Sequence, residues 1–305
     1  MKKYLDIYPE IQTALDLHQP VVALESTIVS HGLPYPENIA MVKRVGEIIR
    51  ENGAYPATIA LIDGRIKIGL SDEDLERLAK DGNVRKVSRR DFAYVLATKE
   101  LGATTVASTM IAAQLAGIEF FVTGGIGGVH RGYEESLDVS ADLEELAETE
   151  VTVICAGAKA ILDLPRTMEY LETKGVPVIG YQTENLPAFY TRTSSIALPM
   201  SVDTPEQLAE IIRAKRTLGL KGGVLVTNPI PEEHSLDESE MNRVIEEATA
   251  EAKENNIQGK DVTPFLLKTI VEKTGGKSLE ANLQLVYNNA ALGAKLAVAY
   301  QKQDD

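Results

Sequence analysis

The sequence predicts an α/β fold: a three-layer α/β/α sandwich around a mixed, mainly parallel sheet. Two observations carry that reading. Short runs rich in Val and Ile recur along the chain with helix-period segments between them. Those runs are apolar at almost every position rather than at alternate ones, the pattern of strands covered on both faces. A third observation, Asp63-Gly64 between two strand-like runs, adds one antiparallel hairpin.

Taken in order, "PVVALES" (20–26) reads as a buried strand. In "PENIAMVKRVGEIIRENGAYP", Ile39, Val42, Val45, Ile48 and Ile49 recur at helical spacing, and Gly53 stops the helix. "ATIALIDGRIKIGL" (57–70) is the hairpin, and "SDEDLERLAK" (71–80) is a helix capped by Ser71 with Asp74 three residues on. "TTVASTMIAAQLAG" (104–117) becomes a helix of small residues, and "IEFFVTGGIGGVHRG" (118–132) is a strand running into a glycine-rich loop. "VTVICAG" and "VPVIGY" are further buried strands with a helix around 165–173 between them, and "GGVLVTNPIP" (222–231) is another. The last stretch reads as two helices joined by "TGGKS", packed back on the same domain. No repeat, low-complexity segment or Ser/Gly linker divides the chain, so residues 1–305 are read as a single domain.

Composition narrows the function. Of 305 residues, 44% are apolar and 25% charged, an ordinary folding chain. The net charge of −14 repels phosphate backbones, and aromatics at 5% with no Trp offer no stacking platform, so nucleic acid is not the expected partner. A small anionic substrate remains compatible with a locally basic site. Cys155 stands alone, so no intramolecular disulfide forms. The start "MKKYLD" has no signal-peptide core, and no apolar run is long enough to span a bilayer. A cytoplasmic protein with no membrane partner is the expectation.

Five constellations carry chemistry. Glu25 closes an apolar strand in "ALESTIVSHGLPYP", where a carboxyl can serve as acid or base, an N-cap or turn carboxylate being the alternative. "VRKVSRRDF" gathers Lys86, Arg89 and Arg90, suited to phosphate or carboxylate, or to pairing with surface acids. "VTGGIGGVHRG" is an anion cradle or simply a tight strand exit, and it matches neither phosphate-loop fingerprint. In "SLDVSADL", Asp138 and Asp142 lie four apart around Ser140, hard oxygen donors for Mg²⁺ or Mn²⁺, compatible with a helix cap at Ser140 or Asp142. Finally Lys159 follows "VTVICAG" as a lone ammonium among small and apolar neighbours. A lysine attacks a carbonyl only when neutral, and such a setting favours the neutral form. A lysine snorkelling from a helix is the alternative.

These segments are not independent. "LESTIVSHGLPYPEN", "KVSRRDF", "GATTVASTM", "FVTGGIGGVHRG", "DVSADL", "ICAGAKAILDLPRT", "YQTENLPAFY" and "SLEANLQLVYNNA" follow one another across nearly the whole chain. In that order they resemble the pseudouridine-5′-phosphate glycosidase family, also called indigoidine synthase A-like. The resemblance implies reversible, metal-dependent cleavage of the carbon–carbon bond between uracil and ribose 5-phosphate, typically with Mn²⁺, one ion per subunit, and with Mg²⁺ or another divalent ion as a substitute. It implies Lys159 as the nucleophile that joins ribose C1′, Glu25 as the proton donor and Asp138 as the metal ligand. Lys86, Val106 through its backbone, and the run Ser140, Ala141 and Asp142 become substrate contacts. Asn282 becomes an amide on the pyrimidine or sugar side. The resemblance also suggests a homotrimer, and no appended sugar-kinase domain of the kind some relatives carry is expected in residues 1–305.

The chemistry agrees with the residue types. A C-glycoside has no heteroatom leaving group for the usual two-carboxylate mechanism. An imine at C1′ of the opened sugar provides the electron sink that lets the C1′–C5 bond break. Two other readings stay open at this point. One is a Schiff-base aldolase or lyase acting on another phosphosugar. The other is a non-catalytic phosphosugar-binding protein, which would have no use for a neutral lysine.

Overall fold

The computed structural model of the protein describes residues 3–257, 259 and 262–302. Among the described residues, eleven strands form one sheet: β1 Leu5–Ile7, β2 Val21–Leu24, β3 Tyr55–Ile62, β4 Arg65–Ile68, β5 Arg85–Val87, β6 Gly102–Thr104, β7 Phe120–Val122, β8 Thr152–Cys155, β9 Val178–Tyr181, β10 Ser201–Val202 and β11 Val224–Thr227. Their order is β1-β4-β3-β2-β7-β8-β11-β9-β10, with β6 branching from β3 and β5 pairing β6. Pairing is parallel except where β3 meets β4 and β6. The sheet is therefore mixed and mainly parallel, as the uniformly apolar strands predict.

The central strands β2, β7, β8 and β11 are buried at every position because helices lie on both sides of the sheet. Phe120 and Val122, two apart and so on one face, meet Tyr300 and Gly293 of the last helix, Lys277–Gln301. Phe121, fully buried, points into the opposite layer. The helix Lys277–Gln301 packs on Glu37–Glu51, and Val106–Ala116 packs on Ala141–Glu148. Among the described residues, no helix is long and apolar enough to cross a membrane.

Local signals explain the element boundaries. Asp63 and Gly64 both take positive φ, 53° and 76°, the type I′ geometry expected of Asp-Gly between β3 and β4. Ser71 and Asp74 form a reciprocal capping box at Asp72–Lys80. Several elements escaped the periodicity reading, among them Pro9–Asp16, Arg89–Thr98, Pro205–Thr217 and Glu238–Glu254, and the short strands β1, β5, β6 and β10. Strands of two or three residues are too short to carry a period. Pro205–Thr217 did carry a legible start, Thr204 with Pro205 and Gln207, and the structure shows that capping box formed.

That helix ends in a charged plug. The Lys215 ammonium is buried and donates to the carbonyls of Leu220, Lys221 and Gly222 at 2.7, 2.6 and 2.7 Å. Burial pushes this amine down from the usual lysine value. Three acceptors need three N–H donors, which only the ammonium supplies, so we assign it as charged. Lys215→Met should leave three carbonyls without that donor set and cost about 2 to 3 kcal/mol. Urea unfolding reads this directly, and an unchanged midpoint would show the plug to be dispensable.

Candidate active site

The three central strands β2, β7 and β8 are parallel neighbours in register, with Leu24 beside Val122 and Val122 beside Ile154. Their carboxyl ends therefore open side by side. The chain leaves β2 toward β3 on one side, while β7 continues to β8 on the other. Ligand crevices form where neighbouring strands diverge in this way. Glu25 follows β2, Thr123 follows β7, and Ala156-Gly157-Ala158-Lys159 follows β8.

The glycine-rich stretch 123–130 is the spine of the site. Thr123 Oγ1 donates to one carboxylate oxygen of Glu25, and Thr27 Oγ1 donates to the other. A Cβ at Gly124 would lie 3.3 Å from Asn282 Oδ1, which places Asn282 of the last helix against the same crevice. The Gly125 carbonyl accepts from the Lys159 amine at 2.7 Å. The Ile126 carbonyl accepts the Lys159 backbone N–H at 3.0 Å, and Ile126 N–H donates to Gly157. Gly127 N–H donates to Asp142 Oδ2 at 2.8 Å. Gly128 accepts Ser140 N–H, and His130 N–H donates to the Asp138 carbonyl. The N–H groups of Ile126, Gly127, Val129 and His130 are thus occupied by protein acceptors. The loop is a ladder joining the segments that carry Asp138 and Lys159, so the tight-exit reading describes it better than the anion cradle. At Gly127 a Cβ would fall 2.2 Å from Ser140 Oγ, so that rung closes only with glycine.

A second group gathers around His130. Burial pushes this imidazole below its ordinary value; the Asp138 carboxylate pulls it back up, and Lys86 and Lys159 push it down. Those four side chains therefore share one field. Asp138 Oδ2 lies 4.0 Å from His130 Nδ1. Lys86 is carried there by β5, paired to Ala103 of β6. The chain then turns into the helix Val106–Ala116, whose first residue, Val106, presents its N–H at the positive helix end. Sequence reasoning passed over His130 as a catalytic-site residue, although it stands in the quoted glycine-rich motif.

The remaining expectations sort cleanly. Ser140 caps the helix Ala141–Glu148 by accepting Asp142 N–H at 3.2 Å. Asp142 is buried and accepts the N–H groups of Ala107 and Gly127 at 2.9 and 2.8 Å, so it braces the loop against the helix that begins at Val106. Ala141 opens that helix between the two. Arg89 makes a two-pronged ion pair with buried Glu145, at 2.8 and 3.0 Å, and also reaches Glu148. Arg90 is exposed beside Asp91. Of the basic cluster only Lys86 faces the site, and the arginines pair with acids. Cys155 is fully buried, which pushes its thiol up to about 12 and excludes it as a nucleophile at neutral pH. Lys159 departs from its expected setting. Its neighbours Ala158, Ala160, Ile161 and Leu162 are buried, but its amine emerges beside a carbonyl and in the field of His130. Phe189 and Tyr190, packed edge to face, close the apolar wall behind Gly125.

For a metal, Asp138 is the available hard donor. Among the described residues, no three His, Cys, Asp or Glu side chains gather to hold an ion by themselves. One half-exposed carboxylate fits an ion that keeps most of its waters, the habit of Mg²⁺ and Mn²⁺.

Comparison with known proteins gives the family. Residues 10–299 match the family model described as "Indigoidine synthase A like protein". A pseudouridine-5′-phosphate glycosidase of Staphylococcus aureus is 64% identical over 302 residues, covering 99% of this chain and 98% of that protein. One from Glaesserella parasuis is 61% identical, with 99% and 100% covered. Among solved structures, the prealnumycin C-glycosynthase AlnA in complex with ribulose 5-phosphate superposes with a TM-score of 0.92 at 38% identity, covering 99% of this chain and 98% of that one. An indigoidine synthase A-like protein of Thermotoga maritima gives 0.89 at 36% identity, with 97% and 96% covered. Matched by the family model over residues 10–299 and by its relatives over almost their whole length, this chain belongs to the indigoidine synthase A-like family.

Proposed function

We propose that this enzyme cleaves the C1′–C5 bond of pseudouridine 5′-phosphate, reversibly, to give uracil and ribose 5-phosphate through a lysine imine. The observation that carries the reading is the short span between two chemistries. Thr123 holds Glu25, and Gly125, two residues on, holds the Lys159 amine. An acid and an amine are thereby presented to one crevice.

Glu25 gives a proton to O4′ as the C1′–O4′ bond opens, and the Lys159 amine adds to C1′. The added nitrogen gives up a proton to the Glu25 carboxylate, and Glu25 passes that proton to C5 of uracil as the C1′–C5 electron pair returns to it, while the freed nitrogen lone pair closes C1′=N. Water hydrolyses the imine, releasing ribose 5-phosphate and the free amine. Asn282 lies beside Gly124 and so on the Glu25 side, where an amide suits the uracil edge. Lys86, Val106 N–H and the Ser140–Asp142 turn suit the 5′-phosphate and sugar, holding C1′ near Lys159 once the ring is open.

A divalent ion, Mn²⁺ by kinship and Mg²⁺ by donor chemistry, is assigned to Asp138. When bound it supplies positive charge to substrate oxygens. Chelation should abolish turnover, and Mn²⁺ or Mg²⁺ should restore it. Asp138→Ala should fold, because the residue sits half-exposed in a loop, yet bind metal poorly by calorimetry. Full turnover with metal content verified as zero would remove the ion from the proposal. Kinship also carries a homotrimer, read by light scattering, and a cytoplasmic enzyme.

Incubation with pseudouridine 5′-phosphate and Mn²⁺, followed by chromatography of released uracil, tests the activity. A second reading follows from the C-glycosynthase neighbour, whose bound ligand is ribulose 5-phosphate: a different carbon acceptor on the same lysine chemistry. Ribose 5-phosphate consumed with uracil supports the first reading. Ribose 5-phosphate trapped without any uracil coupling supports the second.

A further inference from the structure

Two asparagines that take no part in the chemistry above are buried behind the site. Asn289, on the helix Lys277–Gln301, is fully buried, and Asn228, just after β11, is nearly so. Asn289 Nδ2 donates to the Thr123 carbonyl at 2.9 Å and lies 3.5 Å from the Gly124 carbonyl. Two carbonyl acceptors fix which end of that amide is nitrogen. Its oxygen accepts from Asn228 Nδ2 at 3.1 Å. Asn228 in turn donates its backbone N–H to the Cys155 carbonyl at 2.8 Å.

One buried amide pair thus touches the ends of β7, β8 and β11 and ties all three to the last helix. The contacts are not spread evenly over the strand ends. Thr123 is the residue that donates to Glu25. Gly124 accepts Ala156 N–H at 2.9 Å, in the segment leading to Lys159. Asn282 lies two helical turns before Asn289 on the same helix, facing the same loop. A buried polar pair with few partners is costly to retain in a core unless its bonds are made. Here the side-chain bonds of Asn289 go to the loop and to Asn228.

We infer that the Asn228–Asn289 pair is a positioning device for the reaction, setting the Thr123–Gly125 segment so that Glu25 and Lys159 stand at the spacing the bond cleavage needs. The inference rests on the activity proposed above. Neither asparagine lines the cavity beside Glu25, so their loss should move turnover more than binding.

The test compares purified variants in pseudouridine 5′-phosphate cleavage with Mn²⁺. Asn289→Leu should fold and lower kcat by roughly 10- to 100-fold, the scale of a misplaced catalytic group, with KM within about threefold. Asn228→Ala removes only the buttress and should lower kcat by about tenfold or less, again at constant KM. Asn288→Ala is the control. Its side chain donates to Pro229 at 3.0 Å on the same turn without reaching the loop, and kcat should be unchanged. A folded Asn289→Leu with wild-type kcat overturns the inference, as does an equal loss in Asn288→Ala. If Asn289→Leu does not fold, Asn228→Ala decides on the same criterion. If the unaltered enzyme releases no uracil, the activity proposal falls instead. Hydrogen exchange of residues 120–128 then reads the pair alone. Faster exchange in Asn228→Ala but not in Asn288→Ala supports the clamp, and equal exchange overturns it.

Discussion

Lys159→Ala is expected to fold normally and lose turnover by roughly 10⁴-fold or more, the scale on which removing a covalent nucleophile acts. Folding should survive because the backbone carries the structural bonds there. Lys159 N–H reaches Ile126 and its carbonyl accepts Leu162 N–H, both at 3.0 Å, and alanine keeps both. The side chain contributes one bond, to the Gly125 carbonyl. Lys159→Arg should be equally inactive. A guanidinium stays protonated and forms no imine, although it can still donate to Gly125. Steady-state kinetics with circular dichroism as the folding control measure both, and activity retained in either variant would make Lys159 a structural residue.

Glu25→Gln should keep substrate affinity while kcat falls by roughly 10²-fold or more, the usual worth of a general acid–base group. The two hydroxyls that hold Glu25, from Thr27 and Thr123, can turn to accept from or donate to an amide, so the local geometry has a way to persist. What glutamine cannot do is release and recover a proton. A fall in kcat at constant KM is the expected signature, and unchanged kcat in the folded variant would reduce Glu25 to a turn residue.

The legible parts of this molecule are those where local chemistry and tertiary demand agree. The strands β2, β8, β9 and β11 read directly because burial on both faces leaves them apolar at almost every position. The Asp63-Gly64 hairpin and the Ser71 cap read directly because each is decided by a few neighbouring residues. Glu25 and Lys159 were visible as polar groups at the ends of such strands. What stayed hidden depends on distant partners. The bracing role of Asp142 is invisible until its two oxygens are seen to hold Ala107 and Gly127. Arg89 looks like a phosphate clamp until Glu145 closes on it. Asn228 and Asn289, 61 residues apart, have no local pattern at all, because only the fold brings them together.

The central claim is that Lys159 bonds covalently to C1′ of the opened sugar. Borohydride reduction of the enzyme during incubation with ribose 5-phosphate, followed by peptide mass mapping, tests it most directly. The account predicts one reduced pentose-phosphate adduct, located on the peptide containing Lys159 and absent from Lys159→Ala. An adduct on Lys86 instead, or no adduct from an enzyme that is turning over, would contradict it.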